Sequence, residues 1–361
     1  RYRIRGLEFR RVLFRSGGQL KAERETVLQD VASGRAEIIV GTHALIQEGV
    51  AFPKLGLVII DEQHRFGVMQ RAVLREKGTC PDVLVMTATP IPRTLSMTVY
   101  GDLDVSVLNE RPALRKRIKT HAVDDRKRPQ VYHYVREQVR QGAQVYIVFP
   151  LVEETEKSDL KAASESYEKM KAGYFSDVSI GLLHGRMSTA EKDRVMADFK
   201  QGVHSILVST TVIEVGVDVP NATIMVIEHA ERFGLTQLHQ LRGRVGRGEK
   251  QSHCILIAYG QPTPEARRRL QTLVETDDGF RIAEVDMELR GPGEYFGTRQ
   301  HGLPELTLAD VSKDFAALSA ARDEAFRLVA ADPQLRKAEH LSLREYFLKH
   351  YREKFDLASV G

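Results

Sequence analysis

The length of 361 residues exceeds that of one ordinary domain and predicts two or three domains. A hydrophobic content of 42% and a charged content of 28% are typical of soluble globular proteins, and no apolar run is long enough to span a membrane. The net charge of +4 permits nucleic-acid binding without arguing for it. Two cysteines without metal-ligand spacing favour a reduced, cytosolic setting.

The first third of the chain predicts alternating helices and strands. Residues 1–16 are Arg-rich and show no clear period, so we exclude them from the fold as a foreign or damaged start. A helix from Lys21 to about Ser33 is expected to end at Gly34. Strands are expected at 37–40, 58–60 and 83–86. The β-branched run Val58–Ile60 predicts a strand buried on both faces of a parallel sheet.

A second series of strands follows a polar linker at 108–119, which Pro112 interrupts. The expected strands are 143–149, 178–183, 204–209, 223–229 and 252–257. Ser188 and Glu191 have capping-box spacing, which predicts the start of a helix near 189–200. The fold class is therefore α/β, with two similar lobes in tandem, followed by a mostly helical region at 261–361.

Two carboxylates follow the strand at 58–60. Asp61 and Glu62 would lie at the carboxyl end of that strand, where open α/β sheets bind their ligands. Nucleotide hydrolysis needs such a pair, one carboxylate to hold Mg²⁺ and another to orient or deprotonate water. Gln63 and His64 could then sense the γ-phosphate. Taken alone, the same pattern also fits a plain exit from a strand into a loop.

Three stretches carry hydroxyl groups at predicted strand ends. Thr42 and His43 could contact a nucleic-acid phosphate, although an ordinary turn has the same composition. Thr87 and Thr89 precede a proline-rich turn that could link the carboxylate site to a moving element. In the run 209–220, Thr210 and Thr211 are expected to contact backbone phosphates. Gly216 would allow a ligand to approach closely, and Asp218 could bind a ribose hydroxyl or an arginine that changes partner during the cycle.

The stretch Gln237–Gly248 is the most specific one. A helix is expected to present Gln240, Arg244 and Arg247 on one face. Guanidinium groups are suited to the charge that develops on a transferring phosphoryl group. The interleaved Gly243 and Gly246 would let this helix lie close to another lobe.

In this order, these motifs resemble those of superfamily 2 helicases. The stretches 40–47, 61–68 and 231–248 resemble, more narrowly, the RecG family of bacterial branch-migration helicases, from about Gly17 to near the C-terminus. The resemblance implies RecA-like lobes, ATP and Mg²⁺ as cofactors, and Asp61 with Glu62 as the metal-binding pair. It also implies a cytoplasmic monomer that acts on branched DNA, at forks and Holliday junctions, with single-stranded DNA-binding protein as a partner.

Residues 278–300 resemble the translocation motif that this family shares with the transcription-repair coupling factor. In that motif a helical hairpin and a following loop couple closure of the lobes to DNA stepping. The resemblance implies that Arg269, Arg290 and Gln300 form its polar network. Arg290 could instead only cap the preceding helix by interacting with its C-terminal dipole.

One motif of the family is absent from the sequence. No Gly-x-x-x-x-Gly-Lys-Ser/Thr loop occurs in the 361 residues. We therefore expect a truncated first lobe at 17–112 and negligible ATP hydrolysis by this polypeptide alone. The rest of the chain is expected to form a complete second lobe at 113–260 and a helical translocation element at 261–361. No N-terminal wedge domain is expected. A translocase of the coupling-factor type and a non-catalytic DNA-binding fragment remain alternatives; Gln63 and the run 212–218 favour the RecG type.

Overall fold

The computed structural model describes residues 12–15, 21–41, 45, 50, 52–61, 81–87, 105–108, 116–150, 165–210, 219–290 and 315–359. The chain divides into two compact units. One comprises Arg1–Ala88 with Arg327–Gly361, and the other comprises Thr89–Phe326.

The first unit contains two pairs of parallel strands. Strand β1 (Val12–Arg15) pairs with β2 (Ile38–Gly41), and β3 (Leu57–Ile60) pairs with β4 (Asp82–Val85). Helix α1 (Lys21–Ala32) ends before Gly34, whose φ of +68° is the left-handed conformation expected after a helix. The helix and strands β2 to β4 confirm the predicted elements to within about one residue. Strand β1 lies in the segment 1–16, for which the sequence predicted no element.

The prediction that the strand at 58–60 is buried on both faces is wrong for this chain. Leu57 and Ile59 are 57% and 56% exposed, whereas Ile60 is 3% exposed. Successive side chains of a strand point to opposite faces, so this alternation marks one covered and one uncovered face. The apolar run indicated the strand correctly but could not tell which faces are covered.

The second unit is built on a six-stranded, all-parallel sheet in the order β5-β10-β9-β6-β8-β7. Its strands are β5 (Lys119–Asp124), β6 (Gln144–Val148), β7 (Ile180–Leu183), β8 (Ile206–Ser209), β9 (Ala222–Ile227) and β10 (His253–Ala258). The last five confirm the predicted strands to within two residues. The α/β class with a parallel sheet is confirmed.

Strand β5 lies where the sequence predicted only a linker and its exit. Among the described strands it lies at the edge of the sheet and pairs only with β10. Most of its side chains are exposed, including Lys119, His121 and Asp124. A half-exposed edge strand does not need the continuous apolar run that marks a buried strand, so the pattern search missed it.

Further helices follow β5 in the described part of the chain. They are α2 (Arg128–Arg140), α3 (Thr189–Lys200), α4 (Leu235–Arg242), α5 (Pro264–Glu275), α6 (Gly279–Arg290), α7 (Phe315–Ala331) and α8 (Leu341–Ser359), with a further helical segment at 165–172. The predicted capping box of α3 is confirmed, because Ser188 and Glu191 bond reciprocally. Among the described residues, no helix combines the length and the apolarity needed to cross a membrane.

Side chains on the two faces of the sheet enter two separate cores. In strand β6, Tyr146 and Val148 point into one core, and Val145 and Ile147 point into the other. Helix α2 covers the second core. The first core takes in α3, α4 and the hairpin formed by α5 and α6. The hairpin is therefore packed on the sheet as part of the second unit.

Candidate functional site

The carboxyl edge of strands β3 and β4 carries two of the predicted site residues in the first unit. Asp61 directly follows β3 and is exposed. Thr87 lies two residues after the end of β4, and the intervening Met86 N–H bonds the carbonyl of Ile60 at 2.8 Å. The two side chains therefore belong to one sheet edge. Glu62, Gln63, His64 and Thr89 lie outside the described residues.

The predicted metal pair can be tested only at Asp61. Its exposed carboxylate at a strand end is the kind of oxygen ligand that Mg²⁺ binds, directly or through water. Within the part of the chain that the structure describes, no group of three or more His, Cys, Asp or Glu side chains could hold a metal ion.

Of the residues predicted to contact nucleic acid, only Thr210 lies within the described part of the chain. This residue follows β8, and its N–H bonds the carbonyl of Leu183 at the end of β7 at 3.2 Å. It is fully buried, and its hydroxyl has no hydrogen-bond partner among the described residues. Thr42, His43, Thr211, Gly216 and Asp218 lie outside the described residues.

His184 lies beside Thr210 and was missed by the sequence reasoning. Leu183 and Ser209 are partners in the register of β7 and β8, so the residues that follow them are neighbours at the carboxyl edge. The Nδ1 atom of His184 is also buried and without a hydrogen-bond partner among the described residues. Burial and the nearby Lys192 and Arg186 lower the pKa of His184, which favours the neutral imidazole.

Gln240 lies on helix α4. The apolar residues of this helix, Leu235, Leu238 and Leu241, recur at helical spacing and are all buried in the first core. Gln240 lies in the last turn and is partly exposed. The helical period of the leucines thus positions the end of this helix against the sheet.

The prediction that Arg244 and Arg247 lie on the same helical face as Gln240 is wrong. Helix α4 ends at Arg242, and the next residues form a turn in which Arg244 N bonds the carbonyl of Leu241 at 3.0 Å. Gly243 is the C-cap residue. The glycine-rich sequence ends the helix because glycine has a low helix propensity and enters turns readily. Arg244 is partly buried and Arg247 is exposed.

Gly246 gives this turn its shape. Its φ is +76°, and a Cβ atom added there would lie 2.9 Å from Cγ1 of Ile118. The close approach that the sequence suggested at this glycine is therefore to a residue of the same unit. Gly246 lies between Arg244 and Arg247, so the two arginines belong to a turn and not to a helix.

Arg242 is a buried arginine that the sequence reasoning missed. It is 3% exposed, and its Nη1 atom donates to the carbonyls of Leu273 and Thr276 at 2.8 and 2.9 Å. Its Nη2 atom lies 2.8 Å from Nδ1 of His239. It therefore ties the end of α4 to the end of α5. A signal was present, since Arg242 occupies the buried leucine stripe of α4, where a charge needs partners.

Asp286 on α6 joins the hairpin to the beginning of α4. Its Oδ2 atom accepts a hydrogen bond of 2.9 Å from the hydroxyl of Thr236, and its Oδ1 atom accepts one of 3.1 Å from Nε of Arg290. Asp286 is 2% exposed. The sequence indicated Arg290 but neither of the other two residues. The local signal was that Asp286 lies between the apolar residues Val285 and Met287 and one helical turn after Ile282.

Arg269 attaches the hairpin at a different point. Its Nη2 atom donates to the backbone carbonyl of Glu231 at 3.0 Å, in the short helical turn Ala230–Arg232 before α4. Arg269 and Arg290 thus contact the same stretch of chain, one before α4 and one at its beginning. Gln300, the third residue of the implied network, lies outside the described residues.

The buried carboxylate of Glu228, the residue directly after β9, fixes the start of the segment that leads into α4. Glu228 is fully buried and accepts hydrogen bonds from the hydroxyls of Tyr132 and Tyr259, the latter at 2.7 Å, while Nε of Arg128 lies at 3.3 Å. Burial, and then the adjacent negative charge of Glu228, raise the pKa of both tyrosines above their usual range. Both phenols therefore remain protonated donors.

Three family models match the chain. Residues 3–98 match the DEAD/DEAH box helicase family, and residues 127–249 match the helicase conserved C-terminal domain. Residues 276–360 match domain 3, C-terminal, of ATP-dependent DNA helicase RecG. The third match includes the hairpin helix α6 and both C-terminal helices.

Curated relatives match over nearly the whole chain. It is 52% identical to ATP-dependent DNA helicase RecG of Synechocystis sp. over 91% of its length, and 52% identical to that of Streptococcus pneumoniae over 91%. These matches cover 40% and 50% of the two relatives, so the chain spans about half of their length or less.

Solved structures agree with this relationship. A structure of RecG bound to a three-way DNA junction matches with a TM-score of 0.64 and 47% identity, over 85% of this chain and 39% of that one. The helicase Lhr of Mycobacterium smegmatis, solved with single-stranded DNA and AMP-PNP, matches with a TM-score of 0.53 over 72% of this chain and 37% of that one. At 16% identity this second likeness shows only the shared fold of RecA-like lobes. The sequence identity along the chain, together with the match to domain 3, shows that the chain belongs to the RecG family.

Proposed function

We propose that this chain forms the motor of an ATP-dependent DNA helicase that remodels branched DNA, at stalled forks and Holliday junctions. One observation carries the proposal: the turn that holds Arg244 and Arg247 follows a helix that is bound at both ends to a helical hairpin. Such an arrangement joins groups suited to phosphoryl chemistry to a mechanical element. The RecG relatives, named as ATP-dependent DNA helicases, support the same reaction.

The proposed hydrolysis step uses residues of both lobes. Mg²⁺, when bound with ATP, neutralises phosphate charge; Asp61 would hold it, and Glu62 would orient or deprotonate the attacking water. Gln63 and His64 would sense the γ-phosphate. Arg244 and Arg247, in the turn after α4, would stabilise charge on the transferring phosphoryl group. Gln240, Gly216 and Asp218 would also act at the nucleotide.

The proposed DNA contacts are to the backbone. Thr42, His43, Thr210 and Thr211 would donate hydrogen bonds to phosphate oxygens, which fix position without reading sequence. The hydroxyl of Thr210 lacks a hydrogen-bond partner among the described residues, but the residue is fully buried, so a bond to a phosphate requires a local opening at this edge of the sheet. The RecG structure that the chain resembles was solved with a three-way DNA junction, which supports branched DNA as the substrate. We also propose a monomer that works with single-stranded DNA-binding protein, as the family resemblance implies.

The test uses a chimera in which this chain replaces the matching half of the Streptococcus pneumoniae relative. We expect ATP hydrolysis that is stimulated by a three-way junction, and unwinding of that junction. Glu62→Gln keeps the shape of the side chain but removes the base, so it should abolish hydrolysis while ATP binding persists. Equal turnover by the chimera and its Glu62→Gln variant would assign the base to another residue.

The same measurements separate the alternatives. A passive DNA-binding fragment would bind the junction in the chimera without stimulated hydrolysis. A translocase of the coupling-factor type would hydrolyse ATP on linear duplex as well as on junctions, and would displace a stalled RNA polymerase. Preference for the branched substrate in both hydrolysis and unwinding would support the proposed function.

A further inference from the structure

Asp286 is a buried carboxylate whose two oxygens serve two different partners. It is 2% exposed and lies on α6 among the buried Ile282, Val285 and Met287. An ionised carboxylate in such a place is destabilising unless its oxygens are hydrogen-bonded. One oxygen accepts from Thr236 at 2.9 Å and the other from Arg290 at 3.1 Å. Both bonds are needed to keep the charge buried.

Of these two bonds, the one to Thr236 connects separate elements. Thr236 lies in the first turn of α4, the helix that ends just before the turn with Arg244 and Arg247. Fifty positions of chain separate Thr236 from Asp286. This hydrogen bond therefore ties the hairpin directly to helix α4. That helix leads into the turn that carries Arg244 and Arg247, which is called the arginine turn below.

Arg290 acts through Asp286. The two residues are one turn apart on α6, and the side chain of Arg290 is 45% exposed. Its Nη2 atom would lie 2.6 Å from a Cβ atom added to Gly234, the N-cap residue of α4, so it also lies against the beginning of that helix. The guanidinium thus holds the carboxylate in place while contacting α4 across a glycine.

Apolar packing alone would not transmit a defined movement between these helices. Leu235, Leu238, Ile282 and Val285 belong to one core cluster and keep α4 and α6 together. Such contacts are not directional, so the helices could slide without losing them. A hydrogen bond to a carboxylate depends on distance and angle, so it fixes the position of α4 along α6.

We propose that Asp286 is a positioning residue: through Thr236 it couples movement of the arginine turn to movement of the hairpin. This inference rests on the proposed function. When the arginines move with the nucleotide, Thr236 moves with α4 and carries Asp286 and α6 with it. Arg290 keeps the carboxylate oriented for that contact. Arg242 fixes the end of α4 to α5, and the bond to Thr236 fixes its beginning to α6; loss of this second attachment is expected to uncouple hydrolysis from DNA movement.

The first test compares Thr236→Val with Thr236→Ser in the chimera described above. Valine keeps the shape and removes the donor, whereas serine keeps the hydroxyl. For Thr236→Val we expect junction-stimulated ATP hydrolysis within about twofold of the unmutated chimera, and unwinding reduced by about 5- to 150-fold, the range of typical coupling effects. Thr236→Ser should retain both activities. Parallel losses of hydrolysis and unwinding in Thr236→Val would overturn the proposal and leave Asp286 a structural residue.

A second measurement does not depend on activity. Hydrogen exchange in the 361-residue chain should be faster at 235–238 and 286–290 in Thr236→Val than in Thr236→Ser, because the first turn of α4 is no longer held by α6. Equal exchange in the two variants would contradict the proposed link. An unmutated chimera without stimulated hydrolysis would contradict the proposed function itself, and the exchange comparison would still decide whether the contact joins the helices.

Discussion

The guanidinium of Arg242 donates a hydrogen bond of 2.8 Å to the backbone carbonyl of Leu273 and one of 2.9 Å to that of Thr276. The last carbonyls of a helix have no partner within the helix, and here a buried arginine from α4 satisfies them at the end of α5. Helix α4 is therefore fixed to the hairpin at its end by Arg242 and at its beginning by Thr236. The arginine turn starts immediately after the first of these two attachments.

Arg242→Ala should strongly destabilise the second unit. It leaves the buried carbonyl of Leu273 and the partly buried carbonyl of Thr276 without this donor and opens a cavity at the end of α5, so we expect a loss of about 2–4 kcal/mol in the free energy of unfolding. Urea unfolding of the purified chain, followed by circular dichroism, would measure it. Arg267→Ala, at an exposed arginine of α5, is the matched control and should cost no more than about 0.5 kcal/mol. Similar losses in the two variants would show that the buried contacts contribute little.

Gly246→Ala should destabilise the arginine turn for two separable reasons. The residue has a φ of +76°, and the new Cβ would lie 2.9 Å from Cγ1 of Ile118. Gly202→Ala is the control, since Gly202 has a φ of +79° but open space around its Cβ position, and it should cost about 1 kcal/mol. We expect Gly246→Ala to cost about 1–3 kcal/mol more than this control, owing to the clash.

The clash can be relieved from the other side. In an Ile118→Ala background, the excess cost of Gly246→Ala over Gly202→Ala should fall towards zero, as measured by urea unfolding of the four variants. An excess that persists without the isoleucine side chain would place the origin of the strain elsewhere in the turn.

The strands of the six-stranded sheet could be predicted because most of them are buried on both faces. Strand β9, for example, has six buried residues in succession, and such a run is visible in one sequence. Edge strand β5, with Lys119, His121 and Asp124 exposed, has no such run and was missed. Periodicity therefore finds the centre of a parallel sheet more readily than its edge.

In the candidate site, too, some features could be predicted from the sequence and others could not. The residue types at 240–247 indicated the chemistry, but three-residue spacing of arginines fits both a helix and a turn. The structure shows a turn, because α4 ends at Arg242 with Gly243 as its C-cap and Gly246 is left-handed. The contacts of Arg242 and Asp286 bridge residues 31 to 50 positions apart. Local patterns carry no information about such pairs, because they depend on how the helices pack.

Asp177 should make the stability of the second unit sensitive to acid. Hydrogen bonds from Arg136 and Arg140 on α2 lower the pKa of Asp177 to about 2, so folding favours the ionised form. A carboxyl whose pKa is lower in the folded state stabilises the fold above its ordinary pKa, near 3.8, and loses that contribution as the pH falls towards about 2. Asp177→Asn should therefore be less stable than the unmutated chain at pH 7, with a difference that shrinks below about pH 4.

Urea unfolding of both proteins from pH 7 to pH 3 would measure this difference. Asp193→Asn, at an exposed position on α3, serves as the control for the loss of one surface carboxylate. A difference between Asp177→Asn and the unmutated chain that stays constant across the pH series would mean that the ion pairs with Arg136 and Arg140 do not stabilise the folded state.

Arg247→Ala should separate catalysis from DNA binding. Arg247 is exposed and lies in the turn after α4, and the proposed function assigns its guanidinium to the charge of the transferring phosphoryl group. Arginines in that role typically supply about 10³–10⁵ in kcat, so the variant of the chimera should lose junction-stimulated turnover by that order while its affinity for the junction stays nearly unchanged.

The control is Lys250→Ala, an exposed cation three residues further along the chain. It should change neither turnover nor affinity by more than about twofold, because a single solvated charge contributes little at ordinary ionic strength. The decisive comparison is between steady-state hydrolysis and the salt dependence of junction binding. If Arg247→Ala keeps normal turnover and instead weakens binding with a reduced salt slope, the guanidinium contacts a DNA phosphate, since each phosphate contact contributes about one to that slope. Arg247 would then belong to the surface that contacts the DNA backbone, and the charge of the transition state would have to be stabilised by Arg244.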